Sequence, residues 1–449
     1  MKNLSPTIAI VGSGAASVGI TQALRNHQRF ASTSAHFKPK VTVFESSSEP
    51  GGKMAPRNLG AQFLDEEKFY PMNRILKDLG LRLHRPRVDY DQAPYQLRSG
   101  EVMSAVEFEK TLAVLRQCAA KALRSRERLR QIDHLGAIGF LHQLKNQGIL
   151  SPQGVEAMIS RTKFEEGTIR MSALAFAINL AHGKTPVRRV EVVGGLQKIA
   201  LAEKEAVEND GGTFLLGKTV RRVEAFEEGV RLYLRDERRP LLFDYVFIAI
   251  SPEHYKYLQI AGSSMPYQQF LKFMPARITK TNVLLPIGAA FPQEIATEEY
   301  ARWLTPGDLV APGDRKSPRR KAVTFFHGWE GQKRLSDQYL LREAGKKQGH
   351  YVSLESRTWD GKAGHGEIGH TYTTLPLRGQ AFPLYQWTKD YYVRGVYDGE
   401  RIHFANHTLG LGCYTRDAAL SGERAVISML RSMGYRIVSR INSPGLTSL

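Results

Sequence analysis

The stretch from Thr7 to Met54 restricts the fold more than any other part of the chain. It contains a short apolar run at residues 8–11 that is rich in β-branched side chains, which is typical of a buried parallel strand. Gly12-Ser13-Gly14 follows this run directly, and residues 15–24 then have the composition of a helix. A strand that leads through a glycine-rich turn into a helix is the context that a dinucleotide-binding site requires.

The residues of this turn suit a bound pyrophosphate. Gly12 permits a tight turn, and Gly14 allows the backbone to approach the phosphates closely. The helix that follows directs its positive end toward the negative charge. Ser17 stands where such turns have a third glycine, and it is small enough for the helix to pack closely on the strand. The residues predicted to bind the cofactor here are Gly12, Ser13, Gly14, Ala15 and Ala16.

The second predicted strand, residues 41–44, ends at Glu45. A carboxylate at this position can accept hydrogen bonds from both hydroxyl groups of an adenosine ribose. Glu45 lies later in the chain than is usual for this residue, and a polar segment at residues 27–40 accounts for the difference. The alternative is a glycine-rich surface turn, but the flanking strands and Glu45 favour a nucleotide site.

Further glycine motifs follow Glu45. Gly51-Gly52-Lys53 comes first, and residues 58–63 then read Asn-Leu-Gly-Ala-Gln-Phe. Together they resemble the flavin-containing amine oxidase superfamily, which includes monoamine oxidases, L-amino-acid oxidases, renalase-like proteins and protoporphyrinogen oxidase. Lys53 replaces an arginine of that pattern, and Asn58 replaces an aspartate. The resemblance implies non-covalent FAD rather than NAD. The residues that it places at the cofactor are Gly52, Lys53, Gly60, Ala61 and Gln62.

A segment in the middle of the chain extends the resemblance. Gly194-Gly195 precedes a predicted helix, a valine-rich strand follows within residues 217–223, and residues 243–252 read as a buried strand. The superfamily has the same order of elements, and there the backbone at the position of Val220 contacts the adenine. The resemblance therefore implies that Val220 binds FAD.

Lys280 lies in a predicted strand before Phe291-Pro292. In monoamine-oxidase-like enzymes a lysine at the corresponding place holds a water molecule against the flavin N5 and assists the reaction with oxygen. The resemblance implies the same role for Lys280. A lysine at a strand end that faces solvent is the alternative, and the residues alone do not separate the two.

Two C-terminal segments, residues 401–407 and 414–425, complete the resemblance. They are similar to a strand and a helix, and in the superfamily the N-terminal amides of that helix point at the flavin. Asn406 and His407 replace the usual glycine and acid, and Asp417 replaces a glycine. The positions that the resemblance places at the cofactor are Asn406, Asp417 and Ala418.

Tyr414 matches one wall of the aromatic cage that monoamine oxidases place beside the flavin, which implies that it shapes the substrate pocket. Tyr397 or Trp387 is a candidate for the other wall, and ordinary core packing is the alternative for either residue.

Composition limits the class of protein. With 449 residues, of which 42% are apolar, the chain is long enough for two or three domains with ordinary cores. No apolar run reaches the length of a membrane span. Because the first predicted strand begins at residue 7, no secretory signal is expected before it. Only two cysteines occur, far apart, so a reducing, cytoplasmic setting is expected. The histidines have no metal-site spacing, and no metal is predicted.

The net charge of +19 raises the question of an acidic partner. The basic residues are dispersed, however, and they are not interleaved with aromatic residues as in proteins that bind single-stranded nucleic acid. Nucleic acid is therefore not expected as a partner.

These predictions combine into an α/β architecture with a discontinuous, GR2-like Rossmann-type FAD-binding domain, a substrate domain with a mixed sheet, and a helical cap. The FAD-binding parts are predicted at residues 1–85, 190–260 and 400–449. The helical cap and part of the substrate domain fall at 86–189, and the rest of the substrate domain falls at 261–399. In the cap, the predicted helices are residues 105–132, 137–147, 152–160 and 172–182.

The resemblance implies an FAD-dependent oxidoreductase that acts on a small amine or amino acid. A hydride would pass to flavin N5, and O2 would then reoxidise the flavin and give hydrogen peroxide. Two alternatives remain. One is an FAD-dependent desaturase or dehydrogenase of a secondary metabolite, similar to protoporphyrinogen oxidase and phytoene desaturase. The other is a non-catalytic binding partner with a flavin fold, which the changes at Asn406, His407 and Asp417 favour.

Overall fold

The structure, a computed structural model, describes residues 5–32, 37–54, 64–65, 70–84, 95–97, 101–123, 126–162, 172–182, 189–262, 279–287, 308–312, 321–329, 355–359, 363–364, 367–368, 378–390, 392, 400–406, 409 and 415–438. The described helices are α1 (Ala15–Arg25), α2 (Met72–Asp78), α3 (Ala105–Ala122), α4 (Arg126–Asp133), α5 (Ala137–Asn146), α6 (Pro152–Thr162), α7 (Ala173–His182), α8 (Gln197–Asn209), α9 (Ala381–Lys389) and α10 (Thr415–Ser432).

The described strands are β1 (Thr7–Val11), β2 (Lys40–Phe44), β3 (Leu64–Asp65), β4 (Leu83–His84), β5 (Tyr95–Gln96), β6 (Val102–Met103), β7 (Arg189–Val192), β8 (Thr213–Leu215), β9 (Val220–Phe226), β10 (Gly229–Leu234), β11 (Leu241–Phe243), β12 (Tyr245–Ile248), β13 (Gln259–Ala261), β14 (Thr279–Ile287), β15 (Asp308–Pro312), β16 (Lys321–Trp329), β17 (Glu355–Trp359), β18 (Ala363–Gly364), β19 (Glu367–Ile368) and β20 (Ile402–Phe404).

A five-stranded parallel sheet, in the order β20-β12-β1-β2-β8, carries the elements of the predicted cofactor site. β1 lies in its middle and pairs in parallel with both β2 and β12. Residues 8–11 of β1 are buried, as a continuous apolar run inside a parallel sheet requires. The five strands come from the beginning, the middle and the end of the chain, and they confirm the predicted α/β class. The domain boundaries themselves stay a prediction.

Helices α1 and α10 pack against each other with their backbones in contact. A Cβ atom added to Gly19 would lie 2.0 Å from the carbonyl oxygen of Ala419, and one added to Gly422 would lie 2.3 Å from that of Ala16. No side chain fits into gaps of this size, so both positions require glycine. The contact holds α1, which begins at the glycine-rich turn, against the C-terminal helix.

The remaining strands form smaller sheets. One has the order β11-β10-β9-β13, and in it β13 runs parallel to β9 while the other pairs are antiparallel. A second, antiparallel sheet has the order β15-β16-β14-β17. In a third sheet, β7 lies between β3 and β4. The pairs β5-β6 and β18-β19 complete the described strands.

The single helix predicted over residues 105–132 is wrong, because the structure has two helices, α3 and α4, in this range. Buried residues recur at intervals of three and four up to Leu123, but the next described buried residue, Leu129, is six positions further on. Six residues rotate a helix by about 240°. A continuous helix would therefore place Leu123 and Leu129 on different faces, and a break between them allows both to be buried.

The buried carboxylate of Asp133 connects α4, α7 and α9. Its Oδ1 accepts hydrogen bonds from Ser172 Oγ at 2.6 Å and from Ala381 N at 3.1 Å, and its Oδ2 accepts one from Phe382 N at 3.0 Å. Ala381 and Phe382 begin α9, so Asp133 caps this helix from a distant part of the chain. Burial raises the pKa of Asp133 above its ordinary value in spite of these hydrogen bonds.

Candidate cofactor site

The glycine-rich turn joins β1 to α1 beside the ends of β2 and β12. Gly12 has a φ of +100°, and its amide donates a hydrogen bond to Phe44 O at 2.8 Å. A Cβ atom at Gly12 would lie 2.8 Å from Ala249 O, so glycine alone fits between the strand ends. At Gly14, in contrast, an added Cβ atom would have no described atom within 4 Å. The turn is therefore packed against other backbone atoms at Gly12, whereas its side at Gly14, called the open side below, has no described neighbour.

The open side of the turn coincides with the beginning of α1. Gly14 is the N-cap residue of this helix and has no side chain that could cap its first turn. Ala15 and Ala16 follow in that turn, where backbone amides and the helix dipole favour a negative charge. No described atom therefore obstructs the approach of a pyrophosphate at Gly14, and the residues present are compatible with a dinucleotide.

Glu45 lies directly after β2 and is 8% exposed. Its Oε2 accepts hydrogen bonds from Ser13 N at 3.0 Å and from Ser13 Oγ at 2.5 Å. Its Oε1 accepts hydrogen bonds from Ser47 N and from Ser47 Oγ, each at 2.9 Å. The structure thus brings the carboxylate to the glycine-rich turn, and the ribose contact of Glu45 stays a prediction.

Ser13 also connects the glycine-rich turn to the Gly-Gly-Lys motif. The amide of Gly51 donates a hydrogen bond to Ser13 Oγ at 3.1 Å. Gly51 and Gly52 have φ values of +119° and +52°, and the chain then enters a short 3-10 helix, Gly52–Met54, on which Lys53 is half-buried. The turn, Glu45 and this motif therefore form one hydrogen-bonded group.

The segment before β9 lies against the same group. Lys218 N donates a hydrogen bond to Glu45 O at 2.8 Å, and Gly217 N donates one to Ser47 O at 2.9 Å. Val220, the first residue of β9, follows this contact after one intervening residue. The structure thus brings Val220 to the segment that carries Glu45.

The side chain of Asn406 is bonded within the protein. Its Nδ2 donates a hydrogen bond to Tyr255 OH at 2.9 Å, and its Oδ1 accepts one from Leu409 N at 3.0 Å. Asn406 is 2% exposed. Its two side-chain groups thus hold the chain after β20, and a contact of Asn406 with the cofactor stays a prediction.

Asp417 lies in the first turn of α10, where a negative charge interacts favourably with the helix dipole. Its side chain is buried, and its Oδ1 accepts a hydrogen bond from Arg416 Nε at 3.2 Å. Ala418 follows and is half-buried. Cofactor contacts at Asp417 and Ala418 stay predictions.

Several residues to which the resemblance draws attention lie outside the described residues, namely Asn58, Gly60, Ala61, Gln62, Tyr397, His407 and Tyr414. Lys280 lies on β14, as the sequence predicts, and in the sheet register it is opposite Gly328 of β16 and Trp359 of β17. Trp387 lies on α9 and is 7% exposed, which fits the packing alternative for this residue. The catalytic roles of Lys280 and Tyr414 stay predictions.

A polar cluster that joins α2 to α10 was not predicted. Arg74 Nη2 lies 2.8 Å from Glu423 Oε2, and Arg74 Nη1 donates a hydrogen bond to Tyr70 OH at 2.9 Å. Tyr70 OH in turn donates a hydrogen bond to Glu423 Oε1. Burial raises the pKa of Glu423 above its ordinary value, although both partners lower it. Arg74 and Glu423 are 349 positions apart, so no sequence pattern could have paired them.

The contact of α1 with α10 was not predicted either, but a signal for it exists. Small residues recur at intervals of three and four on both helices, and such a stripe permits close approach of two backbones. On α1 they are Ala15, Ala16, Gly19 and Ala23, and on α10 they are Ala418, Ala419, Gly422 and Ala425.

The described part of the chain contains no group of three or more His, Cys, Asp or Glu side chains that could hold a metal ion. In the same residues, no helix has both the length and the apolar composition needed to cross a membrane.

Solved structures of two oxidases have the same fold over nearly the whole chain. Cyclohexylamine oxidase from Brevibacterium oxydans IH-35A matches with a TM-score of 0.68 and 17% identity, covering 95% of this chain and 99% of that protein. Wild-type putrescine oxidase with bound putrescine matches with a TM-score of 0.70 and 17% identity, and the same shares are covered. At this level of identity the similarity establishes the fold alone. No curated protein sequence matches the chain.

A sequence profile establishes the family. The profile described as flavin containing amine oxidoreductase matches residues 31–272, which is more than half of the chain. The matched range includes Glu45 and the Gly51-Gly52-Lys53 motif, which are hydrogen-bonded to the glycine-rich turn, and Val220, which follows the segment bonded to Glu45. The chain therefore belongs to the flavin-containing amine oxidoreductases, and it is an FAD-dependent enzyme of the amine oxidase type.

Proposed function

We propose that the enzyme oxidises an amine or an amino acid, with molecular oxygen as the electron acceptor. Bound FAD would supply the acceptor for the hydride that leaves the carbon next to the nitrogen. The product is an imine, which water hydrolyses to a carbonyl compound and ammonia, while oxygen takes up two electrons and two protons as hydrogen peroxide. A reducing, cytoplasmic setting is part of the proposal.

The observation that carries this proposal is the hydrogen-bonded group of Ser13, Glu45 and Gly51 at an open helix N-terminus, in a chain of the amine oxidoreductase family. Cyclohexylamine oxidase and putrescine oxidase, which share the fold, are both named for amines, and this supports an amine substrate. Their low identity to this chain leaves the particular amine open.

Two groups of residues would hold the cofactor. Glu45 would bind the adenosine ribose, the amides of Ala15 and Ala16 would bind the pyrophosphate, and the ammonium group of Lys53 would offset its charge. The remaining predicted contacts are those of Gly12, Ser13, Gly14, Gly52, Gly60, Ala61, Gln62, Val220, Asn406, Asp417 and Ala418.

Two residues are proposed to act near the reacting atoms. Lys280 would hold a water molecule that assists the reaction with oxygen, and Tyr414 would form a wall of the substrate pocket. An amine that arrives neutral needs no base to release its hydride, so the proposal includes no general base.

The visible absorption spectrum of the purified protein tests the proposal first, before and after denaturation. We expect an oxidised-flavin spectrum that moves to the supernatant when the protein is denatured, which would establish non-covalent FAD. The flavoprotein is then mixed anaerobically with a panel of amines and amino acids, and a substrate bleaches the flavin. Readmission of air should restore the colour and release hydrogen peroxide in a ratio of one to each carbonyl formed.

Two variants control this experiment. Glu45→Ala should lose FAD during purification, whereas Ser48→Ala, an exposed neighbour in the same turn, should retain it. A colourless wild-type protein that takes up no added FAD would contradict the cofactor assignment. A flavoprotein that no amine bleaches, but that desaturates a carbon–carbon bond of a metabolite, would contradict the proposed substrate class.

A further inference from the structure

The carboxylate of Glu45 has more hydrogen-bond donors around it than it can accept. Ser13 N and Ser13 Oγ donate to its Oε2, and Ser47 N and Ser47 Oγ donate to its Oε1. Ser46 Oγ lies 3.3 Å from Oε1 as a fifth donor. A carboxylate has about four lone-pair sites, two on each oxygen. Every site that an adenosine ribose could use therefore faces a donor of the protein.

The two backbone donors are fixed, because they belong to the turns that hold Glu45. Ser13 N takes one lone pair of Oε2, and Ser47 N takes one of Oε1. One lone pair then remains on each oxygen. Ser13 Oγ takes that of Oε2 at 2.5 Å, whereas Ser47 Oγ at 2.9 Å and the more distant Ser46 Oγ at 3.3 Å compete for that of Oε1. A ribose hydroxyl group can bind Glu45 only where a serine hydroxyl group leaves.

The two serine hydroxyl groups differ in how readily they can leave. A serine hydroxyl group has a single proton to donate. Ser47 Oγ lies 2.9 Å from Glu45 Oε1 but only 2.6 Å from Glu49 O, so its proton has a second acceptor at a shorter distance. Ser47 can therefore release Oε1 without losing a hydrogen bond.

Ser13 has no such alternative among the described residues. Its Oγ donates to Glu45 Oε2 at 2.5 Å and accepts a hydrogen bond from Gly51 N at 3.1 Å, which fixes the position of the oxygen. Ser13 is 3% exposed. Displacement of this hydroxyl group from Oε2 would exchange its short hydrogen bond to a buried carboxylate for at best a weaker one to the neutral ribose oxygen.

We propose that Ser13 keeps Oε2 of Glu45 when FAD is bound, so that Glu45 binds a single hydroxyl group of the adenosine ribose through Oε1. Ser13 is then a specificity-determining residue, since it makes the enzyme indifferent to the second ribose hydroxyl group. The inference corrects the expectation that Glu45 binds both hydroxyl groups, and it rests on the proposed placement of the ribose at Glu45.

The test uses FAD and two analogues in which the adenosine is 2′-deoxyadenosine or 3′-deoxyadenosine. Each is titrated into the full-length chain after removal of its flavin, and the quenching of flavin fluorescence gives the dissociation constant. For the wild type we expect one analogue to bind within about twofold of FAD, and the other to bind at least about tenfold more weakly, because a hydrogen bond to a carboxylate is lost.

Variants of the two serines separate the proposed role from a structural one. In Ser13→Ala, Oε2 becomes available, and both analogues should bind at least about tenfold more weakly than FAD binds to that variant. Ser47→Ala is the matched control, and it should retain the wild-type pattern in which a single analogue is affected. A merely structural role of Ser13 would weaken all three ligands equally and leave their ratios unchanged.

The remaining outcomes overturn the inference. If both analogues bind the wild type at least about tenfold more weakly than FAD, Glu45 binds two hydroxyl groups and Ser13 does not keep Oε2. If Ser13→Ala retains the wild-type ratios, Ser13 does not determine the specificity. Glu45→Ala distinguishes these failures from a failure of the proposed site, because unchanged FAD affinity in that variant would show that the ribose lies elsewhere.

Discussion

Gly19 of α1 packs directly against the backbone of Ala419 of α10, and a Cβ atom on Gly19 would lie 2.0 Å from the carbonyl oxygen of Ala419. Helix α1 begins at Gly14, on the open side of the glycine-rich turn. The position of this turn, and of the amides proposed to bind the pyrophosphate, therefore depends on a contact with residues near the end of the chain.

Gly19→Ala should destabilise the protein, because its methyl group cannot be accommodated unless α1 and α10 move apart. Overpacking of this kind costs about 1–3 kcal/mol. Gly139→Ala is a suitable control, since Gly139 lies inside α5 and its added Cβ would meet only the flexible side chain of Leu135 at 3.3 Å. Urea unfolding should show a loss for Gly19→Ala and no comparable loss for Gly139→Ala. Equal effects would mean that helix propensity, and not the contact, determines the result.

Asp133→Ala should destabilise the protein strongly, because the amides of Ala381 and Phe382 would lose their buried acceptor. Each unsatisfied buried donor costs about 1–3 kcal/mol, so we expect a loss of about 3 kcal/mol or more in the free energy of unfolding. Ser172→Ala leaves the cap of α9 in place, but it removes the Oγ that donates to Asp133 and that accepts hydrogen bonds from Leu174 N and Ala175 N at the start of α7, so it should itself cost about 1 kcal/mol. A loss of about 1 kcal/mol or less in Asp133→Ala would contradict the role of Asp133 as the cap of α9.

Glu203 should make stability depend on pH. It is 2% exposed on α8, its Oε2 accepts a hydrogen bond from Gln22 Nε2 at 2.8 Å, and burial raises its pKa from the ordinary value of 4.5. Since the folded state favours the protonated form, the contribution of Glu203 is fully present below pH 4.5 and is lost as the pH rises through the raised pKa.

Glu203→Gln tests this dependence, because the amide is neutral at every pH and has nearly the same shape. Urea unfolding of both proteins, measured from pH 4.5 upward, should show the variant gaining stability relative to the wild type as the pH rises. Glu208→Gln, at a more exposed position of the same helix, should follow the wild type. Parallel curves for Glu203→Gln and the wild type would contradict the assignment of this pH dependence to Glu203.

Asn406 and Tyr255 should be energetically coupled through the hydrogen bond of 2.9 Å between their side chains. In a double-mutant cycle with Asn406→Ala and Tyr255→Phe we expect a coupling energy of about 1 kcal/mol in the free energy of unfolding. Asn406→Ala should be the more damaging change, because it also removes the acceptor of Leu409 N. Additive effects of the two substitutions would show that the hydrogen bond contributes nothing to stability.

Lys280→Met should slow the reaction of the reduced enzyme with oxygen while leaving the flavin content unchanged. Removal of one positioned polar group beside reacting atoms commonly costs at least about tenfold in rate. Lys321→Met is a control on the neighbouring strand β16, where Lys321 is opposite Ile287 at the far end of the β14 register. Stopped-flow measurement of flavin reoxidation gives the rates, and equal rates for Lys280→Met and the wild type would remove Lys280 from the mechanism.

The parts of the fold that follow from contiguous residues could be predicted from the sequence. The apolar run of β1, Gly12, and Glu45 at the end of β2 each depend on the residues next to them, and the structure has all of them in the expected order. The single helix predicted over 105–132 was wrong. The prediction followed the helical composition, which is continuous in this range, but the interval of six residues between Leu123 and Leu129 does not fit the periodicity of one helix.

The parts of the site that depend on distant residues could not be predicted. Asn406 and Tyr255 are 151 positions apart, and no periodic pattern relates them. The hydrogen bond of Ser13 to Glu45 depends on side-chain rotamers, which the glycine motif does not specify. For the same reason, the motif predicts that Glu45 binds a ribose, but it does not predict how many lone pairs of the Glu45 carboxylate are available to the ribose.

The order of the strands in the parallel sheet also determines when the protein can fold during its synthesis. A nascent chain completes α1 early, but β12 leaves the ribosome only after about half of the chain has been translated, and α10 only near its end. Until residues 415–432 have emerged, the small-residue face of α1 has no partner, and the N-terminal part of the chain cannot complete its fold. A ribosome that stalls before this point releases a polypeptide whose glycine-rich turn lacks its support, which makes such a product a substrate for chaperones and proteases.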